Sequence, residues 1–262
     1  MVFDPSGFVR SDAGATMDSG VARDAGPRHD AGEDSDSGAD PDAGSATRTG
    51  STLGLLQNGT QFVLSASFVD APPPDPCTTL ETAGDCEAFR CEVVDGTSLD
   101  AGNITASASG SPLLSAFFDP MGYRAVENLR MVNPGDPIDI ANRGATVPRF
   151  VASGTMPEAP TVTFPFGSTL SRTARPRLTW SSSVRADTVE ITLFRVLTFV
   201  RCTVPASQGE VTIEPALMSH LSTGAGGQFN VRGLRTFTTD AGPYRIDVSL
   251  AAAGPGEVVT LE

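Results

Sequence analysis

Gln61-Phe62-Val63-Leu64-Ser65-Ala66-Ser67-Phe68-Val69 sets Phe62, Leu64, Ala66 and Phe68 at every second position. That is the period of a strand with one face against a core. Working outward, shorter runs of the same kind recur at 88–94, 104–108, 113–118, 137–141 and 149–152. Turn-forming clusters separate them, among them Asp100-Ala101-Gly102 and Asn133-Pro134-Gly135-Asp136. No stretch of ten or more residues in this region has helical spacing, so the expected fold class is all-β, built as one or two antiparallel β-sandwich domains.

Pro157, Pro160 and Pro165 make 154–167 the best connection between two such units. A second set of strands is expected after it, at 177–181, 188–194, 197–204, 210–213, 227–238, 244–252 and 257–261. The domains are therefore set at 51–156, containing Cys77, Cys86 and Cys91, and 157–262. One short helix is expected over 214–222, where Pro215 suits a first helical position and Leu217, Met218 and Leu221 share a face that covers an open end of the sandwich. Leu178-Thr179-Trp180, an alternating strand, and then Gly242-Pro243-Tyr244 leading into a strand to Leu250 resemble an immunoglobulin or fibronectin type III module. The resemblance implies a β-sandwich with Trp180 as a core pivot rather than a ligand platform.

The front of the chain is different in kind. Asp stands at 12, 18, 24, 30, 36 and 42 and Gly at 14, 20, 26, 32, 38 and 44, a hexad Asp-(Ala/Ser)-Gly-x-x-x repeated six times, with Arg48-Thr49-Gly50 as a seventh copy lacking its Asp. Met17 and Val21 are the only larger apolar side chains from 12 to 50, so nothing offsets the entropy of ordering this backbone. Residues 1–50 are expected to be a disordered acidic linker, with the folded unit starting between Gly50 and Gln61. Asp34, Asp36, Asp40 and Asp42 superficially match the start of a calcium loop, yet Ser45 stands where the bidentate Glu belongs, so only weak calcium affinity is expected. Tandem Asp-Ala-Gly spacers ahead of a Cys-containing all-β region resemble secreted or surface-anchored (lipo)proteins of myxobacteria and related GC-rich Gram-negative bacteria. That resemblance implies an extracellular or outer-surface location. The chain departs from the lipoprotein pattern in having no Cys before Cys77; and because 1–10 lacks a basic flank and apolar h-region, either the protein is cytosolic or, as the resemblance implies, its export signal lies upstream of Met1.

Of the 262 residues, 31 are acidic and 18 basic, net −13, and the basic ones are all Arg. The first fifty hold 10 acids against 4 Arg. Such a balance argues against nucleic acid, which needs clustered positive charge to displace counterions. No apolar run reaches the ~18 residues of a membrane span. Without Lys there is no phosphate-cradling Gly-x-x-x-x-Gly-Lys loop, no Gly-x-Ser-x-Gly elbow is present, and no Cys-x-x-Cys pair offers structural zinc. His29 falls in the linker and His220 on the short helix, so any Ser-His-Asp arrangement would have to use His220. Asp119, Asp136 and Asp139 read as turn residues. No catalytic residue, cofactor or metal site is expected beyond the weak calcium possibility. Carbohydrate binding would need exposed Trp180, Tyr123 or Tyr244. Asn58-Gly59-Thr60 and Asn103-Ile104-Thr105 match the glycosylation sequon.

Four cysteines admit three complete pairings. Cys77–Cys86 is expected as a local clasp in a Pro-, Thr- and Gly-rich loop. Cys91–Cys202 is expected across the halves, because Cys91 shares parity with Phe89 and Val93, and Cys202 with Val200 and Val204. The functional expectation is a non-enzymatic cell-surface or secreted β-sandwich protein that presents an interaction surface to an unknown protein or glycan at the envelope. A carbohydrate- or protein-binding module of a secreted system is the alternative, and a hydrolase with an unrecognised site the remote one.

Overall fold

The alternation at 61–69 is realised as a strand, Gln61–Ser67, with Phe62, Leu64 and Ala66 buried and Phe68 fully buried just beyond it. A computed structural model describes residues 48–70, 77–92, 97–129, 131–165, 167–181 and 183–262, all within one compact unit. The hexads before Arg48, His29 and the carboxylates Asp34, Asp36, Asp40 and Asp42 lie outside the described residues. In chain order the strands are β1 (Arg48–Asn58), β2 (Gln61–Ser67), β3 (Cys77–Ala83), β4 (Cys86–Cys91), β5 (Ile104–Ala108), β6 (Ser111–Ala116), β7 (Phe118–Asp119), β8 (Gly122–Asn128), β9 (Pro137–Asn142) and β10 (Val151–Thr155). They continue as β11 (Thr169–Leu170), β12 (Arg177–Thr179), β13 (Thr188–Arg195), β14 (Thr198–Pro205), β15 (Glu210–Thr212), β16 (Gly224–Ala241), β17 (Tyr244–Ala253) and β18 (Glu257–Leu261). One helical turn, α1 (Pro215–Met218), buries Leu217 and Met218, with Leu221 buried just after it. The fold is all-β.

One large sheet runs β3-β4-β14-β13-β16-β17-β1-β2-β8-β7, with β18 beside β16 and β11 beside β18. A four-stranded sheet, β10-β9-β5-β6, faces part of it, and a two-stranded sheet, β12-β15, faces another part. Two cores result. In the first, Leu53, Leu55, Phe62 and Leu64 meet Ile104, Ile138 and Ile140, with Ile246, Val248 and Leu250 beside them. In the second, Val189, Ile191, Val200, Phe229 and Val231 meet Leu178, Trp180, Val211, Ile213 and the residues of α1. Burying each of these large side chains contributes roughly 1.5–3 kcal/mol.

The expected division into 51–156 and 157–262 is crossed twice. The β3–β4 hairpin belongs by sequence to the first half but extends the sheet of the second core at β14, with Cys86 and Ala88 in that core. Conversely, Ala241 to Ala252 return from the second half to line the first core. The 18-residue β16 makes this possible: it pairs with β13 through Gln228–Leu234 and with β17 through Arg232–Ala241. Two pairs also depart from the antiparallel expectation, since β1 lies parallel to β17 and β11 parallel to β18. These pairs join distant parts of the chain, so no hairpin turn dictates their direction.

The start of the folded region is earlier than expected. Arg48-Thr49-Gly50 is part of β1, Arg48 pairs with Tyr244, and its guanidinium donates to the Tyr244 hydroxyl at 2.8 Å and to Asp70. The open edge of β17 supplies the backbone partners that the hexad composition could not reveal.

The disulfides are Cys77–Cys91 and Cys86–Cys202, which corrects the expected Cys77–Cys86 and Cys91–Cys202. Ala83 faces Cys86 across the tight β3–β4 turn, while Cys77 sits at the hairpin's far end opposite Cys91. A six-residue run of strand separates Cys77 from that turn by about 20 Å. The parity reading took the wrong face. Cys86 and Ala88 point inward with Cys202 and Val200, whereas Cys91 shares the outer face with Phe89. Phe89 is buried by its neighbours on that outer face, not by the core.

The 157–160 connection lies against bare backbone. A Cβ on Gly233 would overlap the Glu158 carbonyl and one on Gly254 the Pro160 carbonyl. Gly233→Ala is therefore expected to cost about 3 kcal/mol, because main chain and not a flexible side chain must move; chemical denaturation measures this. In the chain-entropy model the Cys86–Cys202 bridge, spanning 116 residues, stabilises by about 5 kcal/mol and Cys77–Cys91, spanning 14, by about 3. Replacing Cys86 and Cys202 by Ala together is expected to lower the melting temperature by about 10–20 °C, and more than replacing Cys77 and Cys91.

Candidate functional site

Each described residue that sequence reading singled out for chemistry is engaged locally. His220 follows α1, and its Nε2 lies 2.9 Å from Glu81 Oε2 of β3, a carboxylate and not a hydroxyl or thiol. Asp119 accepts from the Met121 N–H at 2.9 Å and Asp136 from the Asn133 N–H at 3.0 Å, both as turn residues. Asp139, expected in a turn, lies instead inside β9, where Ser153 Oγ donates to it at 2.6 Å. The three carboxylates belong to different elements. Among the described residues no three His, Cys, Asp or Glu side chains gather as a metal site, and no helix is long and apolar enough to cross a membrane.

The aromatic residues that sugar stacking would require are inside. Trp180 packs in the second core and its Nε1 donates to the Ala206 carbonyl at 2.9 Å. Tyr244 is buried, with its hydroxyl donating to Asp70 at 3.1 Å. Tyr123 sits edge-on to Phe68, accepts the Ala101 N–H at 2.6 Å and donates to Asp100 at 3.2 Å. Of the two sequon asparagines, Asn58 is exposed and Asn103 half-buried.

A different feature stands on the outer face of the second core's sheet. Thr79, Phe89, Phe199, Phe194, Gln228 and Val258 are in register across β3, β4, β14, β13, β16 and β18. Their neighbours Ala88, Val200, Leu193, Phe229 and Val259 point into the core, so this row points out. Phe89 and Phe199 are nearly parallel, at 8° and 5.2 Å between centroids, and Phe199 and Phe194 follow at 24° and 5.7 Å. Rings lying flat and side by side at that distance would overlap, so these stand on edge and stack on one another. The Arg201 guanidinium lies 4.7 Å from the Phe89 centroid and is held by Glu87 through Nε at 3.0 Å. A polar row, Glu87-Arg201-Thr192-Asn230, runs alongside. At the end of the phenylalanine row Val258 is 67% exposed. Sequence reading missed this face because parity groups residues without naming the side. The available signal was Phe194 and Phe199, which flank a two-residue hairpin, Val196-Leu197, and must therefore face each other.

No family model matches the chain, and no curated protein matches it. Among solved structures, it is similar to a two-domain fibronectin type III segment from chicken tenascin, at 12% identity, covering 69% of this chain and 99% of that one with a TM-score of 0.21. It is also similar to the FN1–FN3 domains of chicken CNTN1, at 8% identity, covering 83% of this chain and 65% of that one with a TM-score of 0.25.

Tyr123 provides a pH readout of the first core. Burial, chiefly, pushes its pKa from 10.0 up to about 12; the Asp100 carboxylate adds to this and the Ala101 N–H opposes it. A hydroxyl whose folded pKa is raised stabilises the fold fully below pH 10, and that contribution is lost as pH rises toward 12. The chain has no Lys and its described cysteines are all bridged, so few other groups titrate there. Denaturation midpoints of the native protein are expected to fall between pH 10 and 12, and those of Tyr123→Phe to fall less.

Proposed function

We propose that the protein is a non-enzymatic interaction protein of the cell surface or the secreted space, its β-sandwich region held out on the acidic hexad spacer and binding a protein partner through the outer face of the β4-β14-β13-β16-β18 sheet. The observation that carries this reading is the Phe89-Phe199-Phe194 row standing outside the core beside Gln228 and Val258. Apolar and aromatic groups on an outer sheet face, bordered by Arg201, Glu87 and Asn230, have the composition of an interface centre with a polar rim. The ring faces are already taken up by one another and by Arg201, leaving edges outward. This favours packing against another polypeptide over stacking a sugar ring. Two disulfides suit an oxidising compartment. A net charge of −13 disfavours nucleic acid as the partner.

A photo-crosslinking residue at position 258, tested on intact producing cells, is expected to form a discrete protein adduct. The same residue at the exposed Thr105 of the other sheet should not, and Phe194→Ser with Phe199→Ser should abolish the adduct at 258. Equal adducts from both positions, or a glycan-array signal that depends on Phe199, would overturn the reading.

A further inference from the structure

The two disulfides that involve the β3–β4 hairpin stand in different surroundings. Cys86–Cys202 belongs to the second core, with Cys86 3% and Cys202 0% exposed. A thiol in solution reaches those sulfurs only when that core opens. Cys77 and Cys91 are half-buried, and exposed residues flank them, Thr78 and Thr79 on one strand and Arg90 and Glu92 on the other. Cys91 is the inner of the pair, because β4 is paired on its other side with β14 and the Cys91 N–H donates to the Leu197 carbonyl at 3.2 Å. Cys77 is the outer one. Its strand ends the large sheet, and among the described residues no strand pairs with the far edge of β3.

That asymmetry decides which sulfur is attacked. In thiol–disulfide exchange a thiolate approaches one sulfur in line with the S–S bond, from the side away from the other sulfur. For Cys77 that side is the open edge of the sheet; for Cys91 it is the side on which β14 lies. The hairpin also outlasts the bond. The ladder from Thr78–Arg90 to Ala83–Cys86, the pairing of β4 with β14 and the Cys86–Cys202 bridge all remain when Cys77–Cys91 opens. Cys77 and Cys91 are opposite one another in that ladder, so the bond closes again once the thiol leaves.

We propose that Cys77–Cys91 is a thiol-exchange site, which takes a small thiolate onto Cys77 while the rest of the chain stays folded. The incoming sulfur bonds to Cys77 Sγ as the Cys77–Cys91 bond breaks, and the electron pair of the broken bond leaves on Cys91 Sγ, which takes a proton from water. One disulfide is lost and one is formed, so this step needs no oxidant or reductant. Either the Cys91 thiolate then returns and expels the small thiol, or a second small thiolate removes the first as its own disulfide and leaves both cysteines reduced. Accessible bridges are the labile ones, and buried structural bridges resist small thiols. Opening frees the end of the hairpin at Cys77 and Cys91, while Cys86–Cys202 keeps the turn end fixed. The site does not rest on the phenylalanine-face reading, since exchange requires no partner on that face.

The full oxidised chain is incubated with reduced glutathione at about pH 8, where the thiol is partly ionised, then quenched with N-ethylmaleimide and mapped by mass spectrometry. Parallel samples contain urea below the unfolding transition. Glutathione is expected on Cys77 and N-ethylmaleimide on Cys91, at a rate proportional to glutathione and little changed by urea. Labelling of Cys86 and Cys202 is expected to be at least about tenfold slower and to accelerate with urea, because it waits on opening of the second core. Labelling of Cys86 and Cys202 at the same rate or faster would overturn the proposal. So would glutathione on Cys91 in place of Cys77, or reaction at Cys77–Cys91 that rises with urea as steeply as reaction at the buried bridge.

Discussion

The backbone of β16 must be hydrogen-bonded along eighteen residues, and meeting that requirement ties the two cores into one body. Its first half takes β13 on one side and β18 on the other; its second half takes β17. The break between β17 and β18 at Gly254-Pro255-Gly256 keeps both strands on the same side, and the Gly254 N–H still reaches the Val231 carbonyl at 2.9 Å. Gly233 on β16 and Gly254 just past the end of β17 leave room for the 157–160 connection to cross main chain against main chain. An added methyl at either place would separate the connection from the ladder it lies on. The cores are therefore joined by backbone continuity and close backbone approach, more than by apolar contact between them.

Much of this was legible because alternation is a local property. Phe62, Leu64, Ala66 and Phe68 announce a buried face whatever they pack against, and Pro215 followed by Leu217, Met218 and Leu221 announces a capped apolar turn. The boundary at Arg48 was not legible, since Arg48-Thr49-Gly50 has no apolar content and becomes a strand only because Tyr244 and β17 lie beside it. Nor was the membership of the β3–β4 hairpin, because sheet order is a long-range property that no window of sequence contains. The cysteine pairing failed for a related reason. Parity placed Cys91 with Phe89, and the presence of Phe89 was taken as evidence of the core, when three phenylalanines can bury one another on the outside.

The hairpin also explains where the phenylalanine face falls. It brings Phe89, on which Arg201 stacks, and Glu87 to the sheet face, and Glu81 to His220 after α1. Sheet strands add to an exposed edge through backbone bonds that are largely indifferent to sequence. What makes this edge specific to this hairpin is the buried Cys86–Cys202 bridge together with the phenylalanine stack and the Arg201–Glu87 pair.

From that dependence comes a constraint on where the protein can work. Without the Cys86–Cys202 bond, the hairpin keeps one backbone ladder, two half-exposed carboxylate pairs, Arg201–Glu87 and His220–Glu81, one ring stack and the burial of Ala88. Exposed ion pairs contribute about 0–1 kcal/mol and a ring pair about 0.5–1.5 kcal/mol, against the entropy of holding some fifteen residues on a sheet edge. The covalent bond is thus the larger part of what holds Phe89 and Arg90 in place. A reducing compartment would remove it and, with it, the Phe89 end of the outer sheet face. Oxidising surroundings are in this sense a condition of the geometry itself, independent of any signal that directs the chain there.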